Sequence, residues 1–334
     1  MGVDSRKPAE SLICTRDNLT EKQRKFWTGM ITCGDEARQP RPPFKGAGWK
    51  AHFAPQRRSP TRVFGGKEIV LHARTWFSAQ RALDLIDGCH QLLRGDPPVF
   101  PVQLIAHNKI EPEWMEPEQR ATHAKEIHST TGFPLACSLA AKASHRRHWV
   151  YAVQKYKFSL SLYSVLHMDM EPWKARHLAV SSFPSDHIMF SHAIISAYSV
   201  VEELNLKVGA SQGRPSRING QWNPAVKADL EKRLKASGVD VSEPILWMMR
   251  GPRRKIESKR TLPPGDMAPW SARIVRNSEI PIIDAVAYAE WLRSCVASHG
   301  AKDLTSVLSP YDVANVQHVA RRLLLESLGF WRWH

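Results

Sequence analysis

Apolar residues recur at steps of three and four along most of the patterned stretches of this chain, a period that predicts helices. The pattern is sharpest near the C-terminus. In the run from Pro281 to Val296, the residues Ile282, Val286, Ala289, Leu292 and Val296 fall on one helical face. A turn at Gly300 follows, and a second run enters through Ser309 as cap and Pro310 at the first helical position. Asp312 there meets the positive end of the helix dipole, and Gly329 suits the C-terminal stop. Val313, Val316, Ala320, Leu323 and Leu324 form the facing stripe, so this stretch is expected to be a helical hairpin.

Four further segments are expected to be helical. Ser185 to Leu206 presents Ile188, Ile194, Ile195, Tyr198, Val201 and Leu204, with Glu202 on the face of Tyr198 and Ile195. A carboxylate in that setting is expected to pair with Arg or Lys. Pro224 opens a short helix through Leu234, with Asn223 as cap and Gly238 as stop. Phe133 to Leu166 reads as one long helical region or two helices. Ile69 to Leu93 also reads as helical, closed by Gly95-Asp96-Pro97-Pro98. Upstream, Asn18 to Ile31 is expected to form a short helix capped by Thr20, whereas Arg38 to Gly66, rich in Pro, Gly and Arg, favours extended or irregular backbone. The expectation is an all-α fold: a helical bundle with an irregular basic N-terminal region. It divides into a leader at 1–66, an N-terminal helical domain at 67–175 and a C-terminal helical domain at 180–334.

Composition narrows the function classes. The 334 residues, 43% of them apolar, are ample for real cores. The formal charge of +15 suits an acidic partner such as nucleic acid. Cys14, Cys33, Cys89, Cys137 and Cys295 lack any C-x-x-C pairing, which argues against a zinc site or disulfide framework and for a reducing cytoplasm. The polar start, Met1 to Glu10, is no secretory signal, and no window approaches the roughly 18 apolar residues of a membrane span. Walker A, G-x-G-x-x-G, G-x-S-x-G and H-E-x-x-H signatures are missing, so no cofactor and no metal is expected. His187 and His192, five apart, do not share a helical face.

Two stretches concentrate positive charge. Lys142, His145, Arg146, Arg147 and His148 lie beside Trp149 and Tyr151; cations that track a backbone and rings that stack on bases are what a single-stranded nucleic acid needs. Arg250, Arg253, Arg254, Lys255 and Arg260 then precede Arg273, with Glu257 and Asp266 the only carboxylates between. Each stretch supports two readings, a solvated basic face or a surface that contacts phosphates.

The helix near 185–206, the insertion after it, Arg276-Asn277 ahead of a helix and the final helix together resemble the layout of HEPN-type domains over about residues 180–330. That family is all-helical and often dimeric, and many members act as metal-independent ribonucleases in bacterial toxin or defence systems. Its motif is Arg, a polar residue, and His four to six residues on; the imidazole works on the 2′-hydroxyl or leaving oxygen while Arg stabilises charge on the phosphate. Arg276 and Asn277 match the first half, but Pro281, Ile282 and Ile283 stand where His belongs. A literal spacing runs from Arg293 to His299. The resemblance implies a nucleic-acid-associated, non-catalytic protein of such a system, with RNA preferred over DNA and a homodimer or partner protein in its assembly. The alternatives are a metal-independent ribonuclease using Arg276, Asn277 and His299, and a protein-interaction scaffold.

Overall fold

A computed structural model describes residues 43–55, 67–73, 76–95, 133–163, 176–177, 184–250, 274–298, 308 and 310–330. The fold is mostly helical, with 66% of this region in seven helices and little strand. The chain divides into two compact units, Met1–Val150 with Trp333–His334, and Tyr151–Arg332.

The first unit contains a three-stranded antiparallel meander in the order β1 (Phe44–Gly46), β2 (Trp49–Pro55), β3 (Lys67–Ala73), followed by helices α1 (Trp76–Arg94) and α2 (Phe133–Ala143). Helix α3 (Arg147–Leu162) starts in this unit. The expected helix from Ile69 is corrected here: residues 67–73 are a strand, and the helix begins at Trp76. Ile69, Leu71 and Ala73 occupy alternate positions, and pairing with β2 supplies the backbone hydrogen bonds that a helix would otherwise have provided. Within the stretch at 38–66, expected to be extended or irregular, Phe44–Gly46 and Trp49–Pro55 are extended strand. Trp49 lies over Gly46 so closely that a Cβ there would meet the indole, and Gly48 turns the hairpin with φ 80°. Helix α1 buries Leu85, Ile86, Cys89, Leu92 and Leu93, and stops at Gly95 with φ 78°.

The second unit holds the rest of α3, then α4 (Pro184–Glu203), α5 (Pro224–Ala236), α6 (Ile282–Ser298) and α7 (Pro310–Ser327). A sheet in the order β4 (Arg176–His177), β8 (Ile274–Pro281), β7 (Pro244–Arg250) and a small hairpin, β5 (Arg217–Ile218) with β6 (Gln221–Trp222), accompany them. The predicted stripe of α6 is buried, from Ile282 and Val286 at 0% exposure to Val296 at 9%. In α7, Val313, Val316, Ala320, Leu323 and Leu324 are all fully buried. These two helices meet, yet α4 is the larger partner of both. Each large aliphatic side chain so enclosed contributes about 1.5–3 kcal/mol relative to exposure.

Helix ends follow the sequence. Asn223 caps α5 by accepting from the Ala225 N–H at 3.1 Å, and Pro224 takes the first position. Gly238, Gly329 and Asn205 adopt left-handed φ of 91°, 72° and 56° just past α5, α7 and α4. In each case the next N–H returns to a carbonyl of the last turn: Val239 to Leu234, Phe330 to Leu325 and Leu206 to Val201, at 2.9 to 3.0 Å.

Helix α7 is buried on its polar side too. Arg322, 6% exposed, donates to Glu326 Oε1 at 2.9 Å and to the carbonyls of Asp240, Glu243 and Pro244 at 2.8 to 3.0 Å. Glu326 also accepts from the Asp240 N–H at 2.8 Å. This guanidinium therefore ties the segment entering β7 to α7, with its desolvation offset by a full set of acceptors.

Candidate nucleic-acid interface

The residues expected from sequence to form the site fall mainly between β7 and β8. Arg250 ends β7 opposite Val275, and Arg276 and Asn277 lie within β8 opposite Met249 and Met248. A strand thus carries the Arg-Asn pair, one that runs to Pro281 and passes directly into α6. The pairing brings Arg250 and Arg276 onto neighbouring strands, one rung apart. Arg253, Arg254, Lys255, Arg260, Arg273 and His299 lie outside the described residues. Arg293, the other arginine with a histidine at motif spacing, forms an ion pair with Glu202 at 3.4 Å. This is the cationic partner expected for Glu202, and with both groups partly exposed it adds little to stability.

The other basic stretch is fully described. Helices α2 and α3 are joined by Ser144, His145 and Arg146, and no Asp or Glu occurs anywhere from Phe133 to Tyr163. Lys142, His145, Arg146, Arg147 and His148 are all exposed, whereas Trp149 is only 9% exposed. The Arg146 guanidinium lies over the Trp149 ring, 4.6 Å from its centroid, and His148 meets the same ring edge-on at 5.4 Å. The indole therefore anchors a cation that remains in water. Arg146 precedes α3 and has no side-chain acceptor with which to cap it, so the positive end of the helix dipole adds to the same surface.

This turn is held against the meander. The Ser144 hydroxyl donates to the Ala141 carbonyl at 2.7 Å and accepts from the Ala47 N–H at 2.8 Å, fixing the β1–β2 hairpin tip to the end of α2. On the meander, Phe44, Trp49 and Ala51 are buried while Lys45 and Lys50 are exposed. Reasoning from helical period missed these lysines. The alternation Phe44, Gly46, Trp49, Ala51, Phe53 around Ala47-Gly48 was the available signal.

A second arginine–tryptophan pair lies in the other unit. Arg217 Cζ is 4.9 Å from the Trp222 ring centroid, and Asp284 Oδ1 accepts from Arg217 Nη2 at 3.1 Å and from Trp222 Nε1 at 2.7 Å. Arg217 also donates to the Gly220 carbonyl at 3.2 Å. These bonds fasten the β5–β6 hairpin to the first turn of α6. Beside it is an open cleft of about 170 Å³ lined by Ser216, Arg217, Tyr288, Glu290, Trp291 and Ser294.

Chemistry of the nucleophilic or metal-binding kind has little support in the described residues. Cys89 and Cys137 are buried, and burial pushes the Cys137 thiol up to about 12 and the Cys89 thiol higher still. His318 on α7 is driven down to about 3, by burial first and then by Arg321 and Arg322, so its imidazole stays neutral. No group of His, Cys, Asp or Glu able to hold a metal ion, and no helix long and apolar enough to cross a membrane, occurs among the described residues. No family model, no curated protein and no solved structure matches the chain.

Proposed function

We propose that this is a nucleic-acid-associated protein that binds RNA in preference to DNA without cleaving it. One observation carries the reading: the carboxylate-free α2–α3 turn, where Lys142, Arg146 and Arg147 are exposed around a ring that holds Arg146 in place. Such a surface attracts a polyanion by releasing its counterions. The formal charge of +15 acts in the same direction at longer range. Arg250, Arg253, Arg254, Lys255, Arg260 and Arg273 would be separate contacts to phosphates, with Arg276 and Asn277 as remnants of a HEPN-like pocket. Under this reading the protein is an accessory component of a bacterial toxin or defence assembly, acting as a homodimer or beside a partner protein in the cytoplasm.

The test is a titration of full-length protein with labelled single-stranded RNA between low and moderate salt, with the RNA inspected for shortened product. Binding that weakens linearly in log salt, without cleavage, is the expected result. Affinity independent of salt would overturn the reading. Cleavage that survives EDTA and is lost in His299→Ala would replace it with the metal-independent ribonuclease.

A further inference from the structure

The register of the meander puts an unusual row on its open face. Lys45 on β1 stands directly opposite Lys50 on β2, and Lys50 directly opposite His72 on β3. All three are exposed. The opposite face takes Phe44, Trp49, Ala51 and Leu71, so the sheet is one-sided, with its apolar side toward the core.

Like charges at directly opposed positions repel, because the Cβ atoms of such a pair are about 5 Å apart. A hairpin that keeps Lys45 opposite Lys50 therefore sacrifices some strand pairing, and an anion between the two ammonium groups relieves the repulsion. The row spans two strand spacings, roughly 10 Å at about 4.8 Å each. It lies one residue pair from the hairpin tip, where the Ala47–Ser144 bond fixes it to the basic α2–α3 turn.

We propose that the open face of the meander is a phosphodiester-binding surface. Lys45 and Lys50 contact successive phosphates of a single RNA strand that continues onto Arg146 and Arg147. The inference rests on the RNA-binding reading above and gives it a path: backbone contacts on the sheet and further charge at the turn.

The experiment is fluorescence anisotropy of the full-length protein with a labelled uridine 12-mer over a salt series. It compares wild type, the double variant Lys45→Gln/Lys50→Gln, and Arg146→Gln/Arg147→Gln. Removing two phosphate contacts is expected to weaken binding roughly tenfold near 0.1 M salt and to make the log K against log salt slope shallower by about 1.4, at 0.7 per contact for single strands. The thermal midpoint of Lys45→Gln/Lys50→Gln should not fall, because the substitution removes a repulsion and no buried contact, so a loss of affinity in that variant reports binding. If the turn variant weakens binding and the sheet variant leaves affinity and slope at wild-type values, the sheet-face proposal is overturned while RNA binding stands. If wild type itself shows no salt-dependent binding, the underlying reading fails and the sheet face falls with it. Anionic phospholipid vesicles and polyglutamate serve as further probes. Binding to either that is lost in the sheet variant while RNA affinity is unchanged would also overturn the proposal, reassigning the face to a membrane or an acidic protein.

Discussion

Two arginine–tryptophan pairs of nearly the same geometry, Arg146 over Trp149 at 4.6 Å and Arg217 over Trp222 at 4.9 Å, are put to opposite uses. Around Arg217 a carboxylate is present: Asp284 takes bonds from both the guanidinium and the indole, and the pair becomes a rivet between a hairpin and a helix. Around Arg146 the flanking helices contain no carboxylate at all, and the indole is the partner that keeps the guanidinium over one spot on the surface. A cation satisfied by protein acceptors has little left to offer a ligand. A cation braced by a ring face still has its N–H donors available to phosphate. The neighbouring carboxylate, or its lack, therefore separates the structural arginine from the candidate binding one.

The comparison can be broken most forcefully at its structural extreme. Arg322 is more enclosed than Arg217, and Arg322→Ala removes the donor to Glu326 Oε1 and to three carbonyls. Urea denaturation should show a loss of about 3–5 kcal/mol, the range for stripping one partner from a buried charge pair. The same region sets an acid limit. The His318 pKa is lowered on folding, so below the ordinary histidine value near 6.5 the unfolded chain takes up a proton that the native chain refuses. Stability should then fall as pH drops from about 6.5 toward 3, by up to about 1.4 kcal/mol per unit, and His318→Gln should flatten that part of the profile.

Smaller effects sharpen the contrast. Asp284→Ala unlocks Arg217 and Trp222, and should cost about 1–3 kcal/mol in a denaturation curve while leaving RNA affinity within twofold of wild type. Arg146→Gln should do the reverse, with a stability change under about 1 kcal/mol and a measurable drop in RNA affinity and salt slope. An RNA titration in which Asp284→Ala is the more damaging of these two substitutions would show that the roles have been assigned the wrong way round. Smallest of all, Asn205→Gly past α4 should move the midpoint by no more than a few tenths of a kcal/mol, since both residues accept the left-handed backbone there.

Much of the fold was legible from local pattern. The stripes of α6 and α7, the Asn223-Pro224 start and the Gly238 and Gly329 stops depend on residues within one or two turns, and each holds as read. Glu202 found its cation in Arg293. The meander was less legible: Lys67 to Ala73 mixes apolar and charged positions without a clean period, and its strand state depends on partners up to 24 positions away, as in the pairing of Trp49 with Ala73. The candidate site divides in the same way. The basic turn at 142–148 was evident as a charge cluster. Lys45, Lys50 and His72 are separate in sequence and become neighbours only through strand register.

Sequence alone therefore determined the mostly helical class, where the principal helices of the second unit begin and end, and the net positive charge, because these follow from composition and from contacts within a turn or two. Tertiary structure alone decided which arginines are spent on the fold. It did so by bringing Asp284 to Arg217, wrapping Arg322 in carbonyls and setting Arg146 over the Trp149 ring. The physical reason is that a cation's availability depends on which acceptors lie within about 3 Å of it, and those come from parts of the chain that only folding brings together.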